Sequence, residues 1–173
     1  MKTLYGLFGA GGFGREVMSP AYEMLAMLHD IRSFELVFVV EDLGEQTELN
    51  GHRVISEAAF LAHDADKKWF NIAIADAKVR ERIATNMTAA GIEPFTIQAP
   101  NVVCYEHNDI DVGAILCAFT TVTANAKIGR FFHGNIYSYV AHDCVIGDFV
   151  TFAPSVHCNG RVVVEDYAYI GTG

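Results

Sequence analysis

The sequence of 173 residues has few basic residues and no long apolar run. Its 12 lysines and arginines face 21 acidic residues, so the formal net charge is −9 and a nucleic-acid-binding role has no electrostatic support. Because no apolar run approaches the ~18 residues of a membrane span, we expect no membrane segment. The apolar run within residues 1–8 is too short for a signal peptide and leads directly into glycines, which is typical of a strand followed by a turn.

The four cysteines are too widely spaced to form a recognisable metal or redox motif. Cys104, Cys117, Cys144 and Cys158 contain no CxxC pair and no repeated interval typical of a zinc site. Cys104, Cys144 and Cys158 fall at inward positions of the repeat described next, where a thiol acts as a small apolar side chain. The sequence therefore predicts a reduced, cytoplasmic protein that binds no metal.

A period of six residues runs through the second half of the chain. Ten of the eleven residues at six-residue intervals from Ile110 to Ile170 are apolar, and Gly134 is the exception. This period matches neither an α-helix nor an antiparallel hairpin, and it is typical of a β-helix whose short strands wind into stacked coils. With three hexads per coil, residues 18 apart lie directly above one another. Gly134 then lies beneath Phe152, and we predict that the Phe152 ring fills the space left by the glycine.

The same spacing brings one histidine and one glycine together. His142 is at the third position of its hexad, near a corner where side chains point outward, and Gly160 occupies the same place one coil later. Adjacent strands are ~4.8 Å apart, so the Gly160 backbone is expected beside the imidazole. An imidazole with an ordinary pKa of ~6.5 is suited to act as a base near neutral pH, and a backbone N–H beside it can donate a hydrogen bond to a developing negative charge. Asp143 faces Arg161 by the same count, which favours a surface ion pair between them.

A glycine-rich turn follows the first predicted strand, residues 4–8. Gly9, Gly11 and Gly14 satisfy GxGxxG between that strand and a predicted helix over residues 15–29. Such glycines let the backbone approach a ligand, and the helix N-terminus offers N–H groups to phosphate oxygens. The alternative is that the glycines only form a tight turn.

Two further strands complete a β-α-β-α-β pattern. The strand over residues 36–40 ends in Glu41 and Asp42, whose carboxylates either accept hydrogen bonds from a ribose or base, or are only solvated. The strand over residues 70–75 precedes Asp76, a predicted N-cap of the following helix. This order predicts a small parallel sheet with helices on both faces.

The N-terminal half is too short for both halves of a dinucleotide fold, which favours a nucleotide or nucleotide sugar over NAD as its ligand. Within it, residues 52–55 are a candidate extra strand and Ser56 a candidate helix cap. A proline-containing segment, residues 91–101, separates the two halves. We therefore predict a Rossmann-like α/β domain that binds a nucleotide sugar over residues 1–97 and a β-helix domain over residues 98–173.

Together, the two halves resemble a family of bacterial sugar acyltransferases. The resemblance rests on GAGGFGREV at residues 9–17, VVED at 39–42, IAIAD at 72–76 with Arg80 just after it, and HDCVIGDF at 142–149. It rests also on the pairing of a half-Rossmann domain with hexapeptide coils. The family includes enzymes related to sialic-acid O-acetyltransferase and to the acetyltransferases of UDP-4-amino sugars. The resemblance implies a left-handed β-helix, a homotrimer, acyl-CoA in the groove between two coil domains, and the acceptor nucleotide on the N-terminal domain.

The functional residues of that family map onto both halves of this chain. The resemblance assigns the general base to His142, the acid that orients it to Asp143, and the oxyanion-facing N–H to Gly160. It places Thr151, together with Gly160, near the acyl-CoA. The residues expected to contact the nucleotide sugar are Gly9, Gly11, Gly12, Phe13, Gly14, Glu41 and Asp42. Many relatives have histidine where this chain has Phe13, and some have a second histidine where it has Thr151, so a ligand contact of the family is expected to be absent.

We therefore expect an acetyl-CoA-dependent N-acetyltransferase that acts on a nucleotide-activated amino sugar by direct transfer in a ternary complex. An acyl-cysteine intermediate is not expected, because the inward register buries Cys144 and Cys158. Two alternatives stay open: O-acetylation of a sugar or sialic acid, and a non-catalytic trimeric scaffold that binds a nucleotide sugar. The scaffold is favoured by Phe13, by Thr151 and by the apparent end of the sequence partway through a coil, at Gly173, which is also consistent with a truncated form.

Overall fold

The computed structural model describes residues 2–173, so Met1, the first residue of the predicted N-terminal domain, lies outside the described residues. The N-terminal elements are β1 (Thr3–Phe8), α1 (Gly12–Leu28), β2 (Phe34–Val40), β3 (Glu48–Leu49), β4 (His52–Ser56), α2 (Glu57–Ala62), β5 (Lys67–Ile72), α3 (Ala77–Ala89) and β6 (Glu93–Pro94). They form a sheet of order β3-β4-β2-β1-β5-β6, in which every pair is parallel except β3 with β4. The predicted parallel sheet is confirmed.

Two side chains cap the helices of this sheet, as the sequence predicts. Ser56 Oγ accepts a hydrogen bond from the Ala59 N–H at 3.1 Å and caps α2. Asp76 Oδ1 accepts from the N–H groups of Lys78 and Val79 at 2.9 and 3.0 Å and caps α3. Each cap satisfies backbone donors that the first turn of a helix leaves unpaired.

The largest differences from the predicted element boundaries are in α1 and β5. α1 begins at Gly12 and not at Arg15, because the glycine loop itself forms the first helical turn. β5 spans Lys67–Ile72, earlier than the predicted 70–75, because its pairing with β1 begins where Thr3 meets Lys67.

Helices cover both faces of the sheet. The buried residues of α1 recur every three or four positions and so lie on one helix face: Gly14, Val17, Met18, Ala21 and Leu25. They pack on the sheet face that contains Leu7 and Phe38. On the opposite face, α2 and α3 bury Phe60, Ile83 and Met87 against Phe8 and Phe70.

The rest of the described chain forms thirteen two-residue strands. They are β7 (Ile97–Gln98), β8 (Val103–Cys104), β9 (Asp109–Ile110), β10 (Ile115–Leu116), β11 (Thr121–Val122), β12 (Lys127–Ile128), β13 (His133–Gly134), β14 (Tyr139–Val140), β15 (Val145–Ile146), β16 (Thr151–Phe152), β17 (His157–Cys158), β18 (Val163–Val164) and β19 (Tyr169–Ile170). Every third strand pairs in parallel, which gives three sheets. Ile115 pairs with His133, and His133 with Thr151, a step of 18 residues per coil. The fold is the expected left-handed β-helix.

The inward columns follow the predicted register, with one correction. Ile128 pairs with Ile110 and Ile146, so β-branched side chains stack as expected. The prediction that Phe152 fills the space at Gly134 is wrong. The atoms nearest to a Cβ placed on Gly134 belong to Phe132, Thr120 and Leu116, at 3.0, 3.2 and 3.4 Å. Phe152 instead packs edge-on against Phe132, with ring centroids 5.1 Å apart, because Phe132 already occupies the space beside Gly134.

From His107 onward, each corner of the β-helix contains one residue in the left-handed backbone region. These residues recur every six positions: His107, Gly113, Phe119, Asn125, Phe131, Tyr137, Asp143, Phe149, Ser155, Arg161 and Tyr167. Residues 18 apart share a corner. We call His107, Asn125, Asp143 and Arg161 the polar corner column, and Gly113, Phe131, Phe149 and Tyr167 the aromatic corner column.

The aromatic corner column joins the β-helix to the N-terminal sheet. Phe131 stacks on Phe70 of β5 with ring centroids 5.9 Å apart, and Phe149 stacks on Phe131 at 5.5 Å. On the other face of the sheet, Ile115 and Cys117 belong to the core beneath α1. The coils therefore extend both cores of the N-terminal unit.

Near the predicted domain boundary, two consecutive strands pair with different units. β6 pairs with β5 of the N-terminal sheet, whereas β7 pairs with β10 of the β-helix. Ile97 therefore already belongs to the coils. The division into residues 1–97 and 98–173 stays a prediction.

Candidate active site

The glycine loop between β1 and α1 contains two glycines that packing requires and two that are open. Gly9 has a φ of +102°, and a Cβ there would lie 2.8 Å from Ile74. A Cβ on Gly14 would overlap the Gly9 carbonyl oxygen. Within residues 2–173, no atom lies within 4 Å of a Cβ placed on Gly11 or Gly12. Gly11 and Gly12 therefore present open backbone where the first N–H groups of α1 are available to an anion.

Phe13 forms one side of a cleft between the glycine loop and the β-helix. Its ring lies against His133 of β13, with ring centroids 5.0 Å apart. A cavity of about 150 Å³ opens there, lined by Phe13 and Glu16 of α1 and by His133, Thr151 and Tyr169 of the coils. The glycine loop therefore faces the coil sheet that contains β13 and β16.

Glu41 and Asp42 follow β2 and already have partners within the chain. Glu41 forms an ion pair with Arg82 of α3. Asp42 Oδ1 accepts a hydrogen bond from the Gly44 N–H at 3.1 Å. Both acidic residues are exposed. Their binding of a ribose or base stays a prediction, and a ligand that binds Glu41 would have to displace Arg82 from it.

His142, Asp143 and Gly160 meet at one corner of the β-helix. His142 Nδ1 lies 2.9 Å from Asp143 Oδ2. Because an ionised carboxylate only accepts, Nδ1 donates and Nε2 is left to accept a proton. The ring lies over the Gly160 backbone, since a Cβ placed on Gly160 would be 2.5 Å from both Cε1 and Nε2. The Gly160 N–H has no acceptor among residues 2–173, and the His142 side chain is 58% exposed.

Asp143 has both of the neighbours that the sequence suggests. Arg161 Nε lies 3.9 Å from Oδ2, and Asn125 Nδ2 donates to Oδ1 at 3.4 Å. The hydrogen bond from His142 is the main reason that the pKa of Asp143 lies below its ordinary value, with smaller contributions from Asn125 and Arg161. The contact with His142 is therefore the closer of the two alternatives.

Three of the four cysteines are buried. Cys104 is exposed, so its predicted inward packing is wrong, because β8 is the edge strand of its sheet and only β11 pairs with it. Cys144 and Cys158 are buried with their Sγ atoms 3.8 Å apart. Burial raises the pKa of Cys117 and of Cys158 to about 12, which does not favour the thiolate that a nucleophile requires.

A buried polar network beside the cleft is absent from the sequence-based predictions. Arg80 of α3 is fully buried, donates to Thr151 Oγ1 at 3.0 Å and lies 3.2 Å from His133 Nδ1. Thr151, expected near an acyl group, is therefore 6% exposed and bonded to Arg80. Arg80 and His133 are 53 positions apart in different halves of the chain, and no sequence pattern connects them.

The candidate site thus has two parts, the cleft beside the glycine loop and the corner at His142. Phe13 contacts β13, whereas His142 follows β14 in a different coil sheet. In the described part of the chain, no three His, Cys, Asp or Glu side chains lie close enough to hold a metal ion together. Nor does any helix between residues 2 and 173 have the length and apolar character needed to cross a membrane.

Known proteins resemble this chain over almost all of its length. The PglD N-terminal domain matches residues 6–87. GDP-perosamine N-acetyltransferase of Escherichia coli O157:H7 is 50% identical over 171 residues, which cover 99% of this chain and 76% of that protein. WeeI from Acinetobacter baumannii AYE has a TM-score of 0.92 at 45% identity, and the match covers 99% of this chain and 79% of the WeeI chain. Perosamine N-acetyltransferase from Caulobacter crescentus, solved as a histidine variant with CoA and GDP-perosamine, shares the fold, with a TM-score of 0.82 at 20% identity over 98% of this chain and 77% of its own.

Proposed function

Because this chain belongs to the hexapeptide-repeat family of bacterial sugar acyltransferases, we propose that it transfers an acetyl group from acetyl-CoA to the amino group of a nucleotide-activated amino sugar. GDP-perosamine is the first candidate acceptor, since the Escherichia coli relative that shares half of its residues is named for that substrate. The Caulobacter crescentus enzyme, which has the same fold, was solved with CoA and GDP-perosamine bound.

The arrangement of His142 is the observation that carries this proposal. Its Nδ1 donates to Asp143, so the carboxylate holds the ring in the tautomer whose Nε2 accepts a proton. Nε2 removes the proton from the acceptor amine as the nitrogen attacks the thioester carbonyl. When the C–S bond breaks, the imidazolium returns that proton to the departing sulfur, so CoA leaves as the thiol and His142 is neutral again. Transfer is direct, because Cys144 and Cys158, the candidate nucleophiles, are buried.

The Gly160 N–H stabilises the developing oxyanion. Backbone N–H groups suit this role because they are fixed before the reaction and need no reorganisation. The open donor at Gly160 and the absence of a side chain between it and the His142 ring both support this assignment.

The acceptor nucleotide binds at the glycine loop, and a second copy of the chain completes the site. Gly11 and Gly12 give phosphate oxygens access to the start of α1. Since Phe13 contacts β13 and His142 follows β14 on another sheet, the cleft and the base of one chain face different directions. In a homotrimer, the cleft of one protomer meets the His142 corner of its neighbour.

The test is release of CoA from acetyl-CoA in the presence of GDP-, UDP- and dTDP-linked amino sugars. We expect release with the GDP-linked amino sugar and a product heavier by one acetyl group. The same sugar without its amino group is the matched control and should not react. Tight binding of the nucleotide sugar with no CoA release from any acceptor would contradict the transferase and favour a scaffold.

A further inference from the structure

Arg80 is a fully buried cation that connects the two units of the molecule. Its Nη1 donates to the carbonyl oxygens of Ile74 and Ala75, at 2.7 and 3.2 Å, in the segment between β5 and α3. Its Nη2 donates to the Phe149 carbonyl oxygen and to Thr151 Oγ1 in the coils. One guanidinium therefore holds the end of a strand in the N-terminal sheet against the β-helix.

His133 is fixed between the same two units. Its Nε2 lies 2.8 Å from the Ile72 carbonyl oxygen, which only accepts, so Nε2 carries the hydrogen. Its Nδ1 lies 3.2 Å from Arg80 Nη1, which only donates, so Nδ1 carries none. The two partners together specify a neutral imidazole with its proton on Nε2. Burial, and next the charge of Arg80, lower the pKa of His133, in agreement with this geometry.

A buried arginine is an unusual choice for a purely structural contact between two units. Among residues 2–173, no carboxylate hydrogen-bonds to the Arg80 guanidinium, and its Nε has no partner. Burying a charge without a carboxylate in direct contact is costly. Apolar residues would join the two units without that cost, so packing alone does not account for an arginine at this position.

The location of the network suggests its role. His133 and Thr151 form the floor of the cleft, and Phe13 of the glycine loop packs directly on the His133 ring. On the basis of the proposed function, we infer that Arg80 is a positioning residue for the acceptor nucleotide sugar. Arg80 sets the distance between the glycine loop and the coils. It also keeps His133 neutral, with its proton on Nε2, as a support for that loop. A proton on Nδ1 would break the contact with Arg80 and bring a second cation into the floor.

The other titratable groups around His133 are few. Glu16 of α1 and Tyr169 of β19 line the same cavity, and Asp76 at the start of α3 acts on Arg80 through its charge. None of these is hydrogen-bonded to the imidazole among the described contacts. Arg80 is therefore the charged group in direct contact with the imidazole, and its charge adds to burial in keeping the ring neutral.

The first experiment uses the wild-type chain with ¹⁵N-labelled histidine, followed by NMR between pH 8 and 5.5. His133→Gln assigns the signal by its loss among the seven histidines. We expect an Nε2–H tautomer that does not titrate in this range. An Nδ1–H tautomer, or titration near the ordinary imidazole pKa of ~6.5, would overturn the inference.

The second experiment measures the kinetics of Arg80→Met, which keeps chain length and removes both charge and donors. We expect kcat/KM for the nucleotide sugar to fall about a hundredfold, the usual result of misplacing a substrate by about 1 Å. The KM for the nucleotide sugar should become pH-dependent as His133 starts to titrate at higher pH, while the KM for acetyl-CoA changes little. Arg32→Met, at an exposed arginine paired with Asp30, is the matched control and should behave as wild type.

The outcomes separate this inference from the proposed function. If Arg80→Met folds, as judged by circular dichroism, and keeps the wild-type kcat and KM at every pH, the inference is overturned. If Arg80→Met does not fold, Thr151→Val, which removes one acceptor of the network, should show the same changes to a smaller degree, and unchanged constants in that variant would also overturn it. A wild-type chain that transfers no acetyl group refutes the proposed function and with it the role in acceptor binding, while the spectra still decide the tautomer.

Discussion

Two corners of the β-helix share a backbone conformation and differ in their side chains. Both place one residue per coil in the left-handed region, 18 positions apart. The aromatic corner column lies against the N-terminal unit, where Phe149 and Tyr167 stack with centroids 5.8 Å apart and the Tyr167 hydroxyl donates to Glu81 of α3. The polar corner column is open, and Asp143 there has Asn125 and Arg161 as neighbours.

The difference shows how one repeat supplies both structure and chemistry. Residues other than glycine rarely adopt a positive φ, so each corner requires support from the ladder of parallel hydrogen bonds. Where a corner is covered, aromatic rings add buried contact area and join the units. At the exposed polar corner column, Asp143 instead holds the His142 ring at the surface. The backbone sets the positions, and the side chains at each corner decide what that corner does.

The largest expected effect is at the exposed corner. His142→Ala should lower kcat about 10²- to 10⁴-fold, the range usual for losing a general base, with little change in unfolding midpoint. CoA release and thermal denaturation measure the two quantities. The matched control is His107→Ala, since His107 lies on the same edge beside Glu106 with their side chains 3.8 Å apart. Equal falls in kcat in both variants would mean that the corner at His142 is not the catalytic site.

The covered corner should respond in stability and not in chemistry. Phe149 is 2% exposed, so Phe149→Ala should lower the free energy of unfolding by about 3–5 kcal/mol, as is usual for a buried aromatic residue. Chemical denaturation measures this change. Tyr105→Ala, at an exposed aromatic residue, should change it by less than about 0.5 kcal/mol. A loss of turnover in folded Phe149→Ala greater than that in His142→Ala would remove the distinction between the two corners.

Gly160→Ala tests the contact between neighbouring coils. The new Cβ would lie 2.5 Å from the His142 ring, so the imidazole must move. We expect kcat to fall roughly a hundredfold, as for other displacements of about 1 Å, while CoA binding persists. Gly171→Ala serves as control, because within residues 2–173 no atom lies within 4 Å of a Cβ at that position. Undiminished turnover in Gly160→Ala would refute the placement of the base.

The smallest effects should distinguish the two neighbours of Asp143. Asp143→Asn removes the carboxylate that accepts from His142, and we expect kcat to fall roughly tenfold, the lower range for a hydrogen bond to a charged group. Arg161→Ala removes a side chain that is 82% exposed and should leave kcat almost unchanged. Steady-state kinetics of the two variants decide the question. A larger fall in Arg161→Ala would favour the ion pair as the main role of Asp143.

Sequence reasoning was most successful where the structure repeats. The 18-residue register, the caps at Ser56 and Asp76 and the proximity of His142 to Gly160 all follow from local pattern. It failed where a contact lies outside the repeating columns. Phe132 and Thr120, which approach Gly134 most closely, do not belong to the column that contains Gly134 and Phe152.

The Arg80 network shows the same limit more clearly. A buried arginine within a helix and a histidine beside a glycine have no shared periodicity, and only the docking of α3 on the coils brings them together. The exposure of Cys104 likewise depends on its strand being at the edge of a sheet, which the repeat does not reveal. Local sequence predicts elements and register, whereas the contacts between the two units require the structure.

The fixed step of the corners also limits how such a chain gains or loses length during evolution. Deleting one residue within a coil would move every later corner residue by one position, so Asp143, Gly160 and Phe149 would no longer share edges with their partners. Duplicating 18 residues would leave all three columns aligned, and a loop inserted at an exposed corner would leave the strands on both sides in place. Homologous β-helices are therefore expected to differ by whole turns and by corner loops, with the histidine edge kept intact.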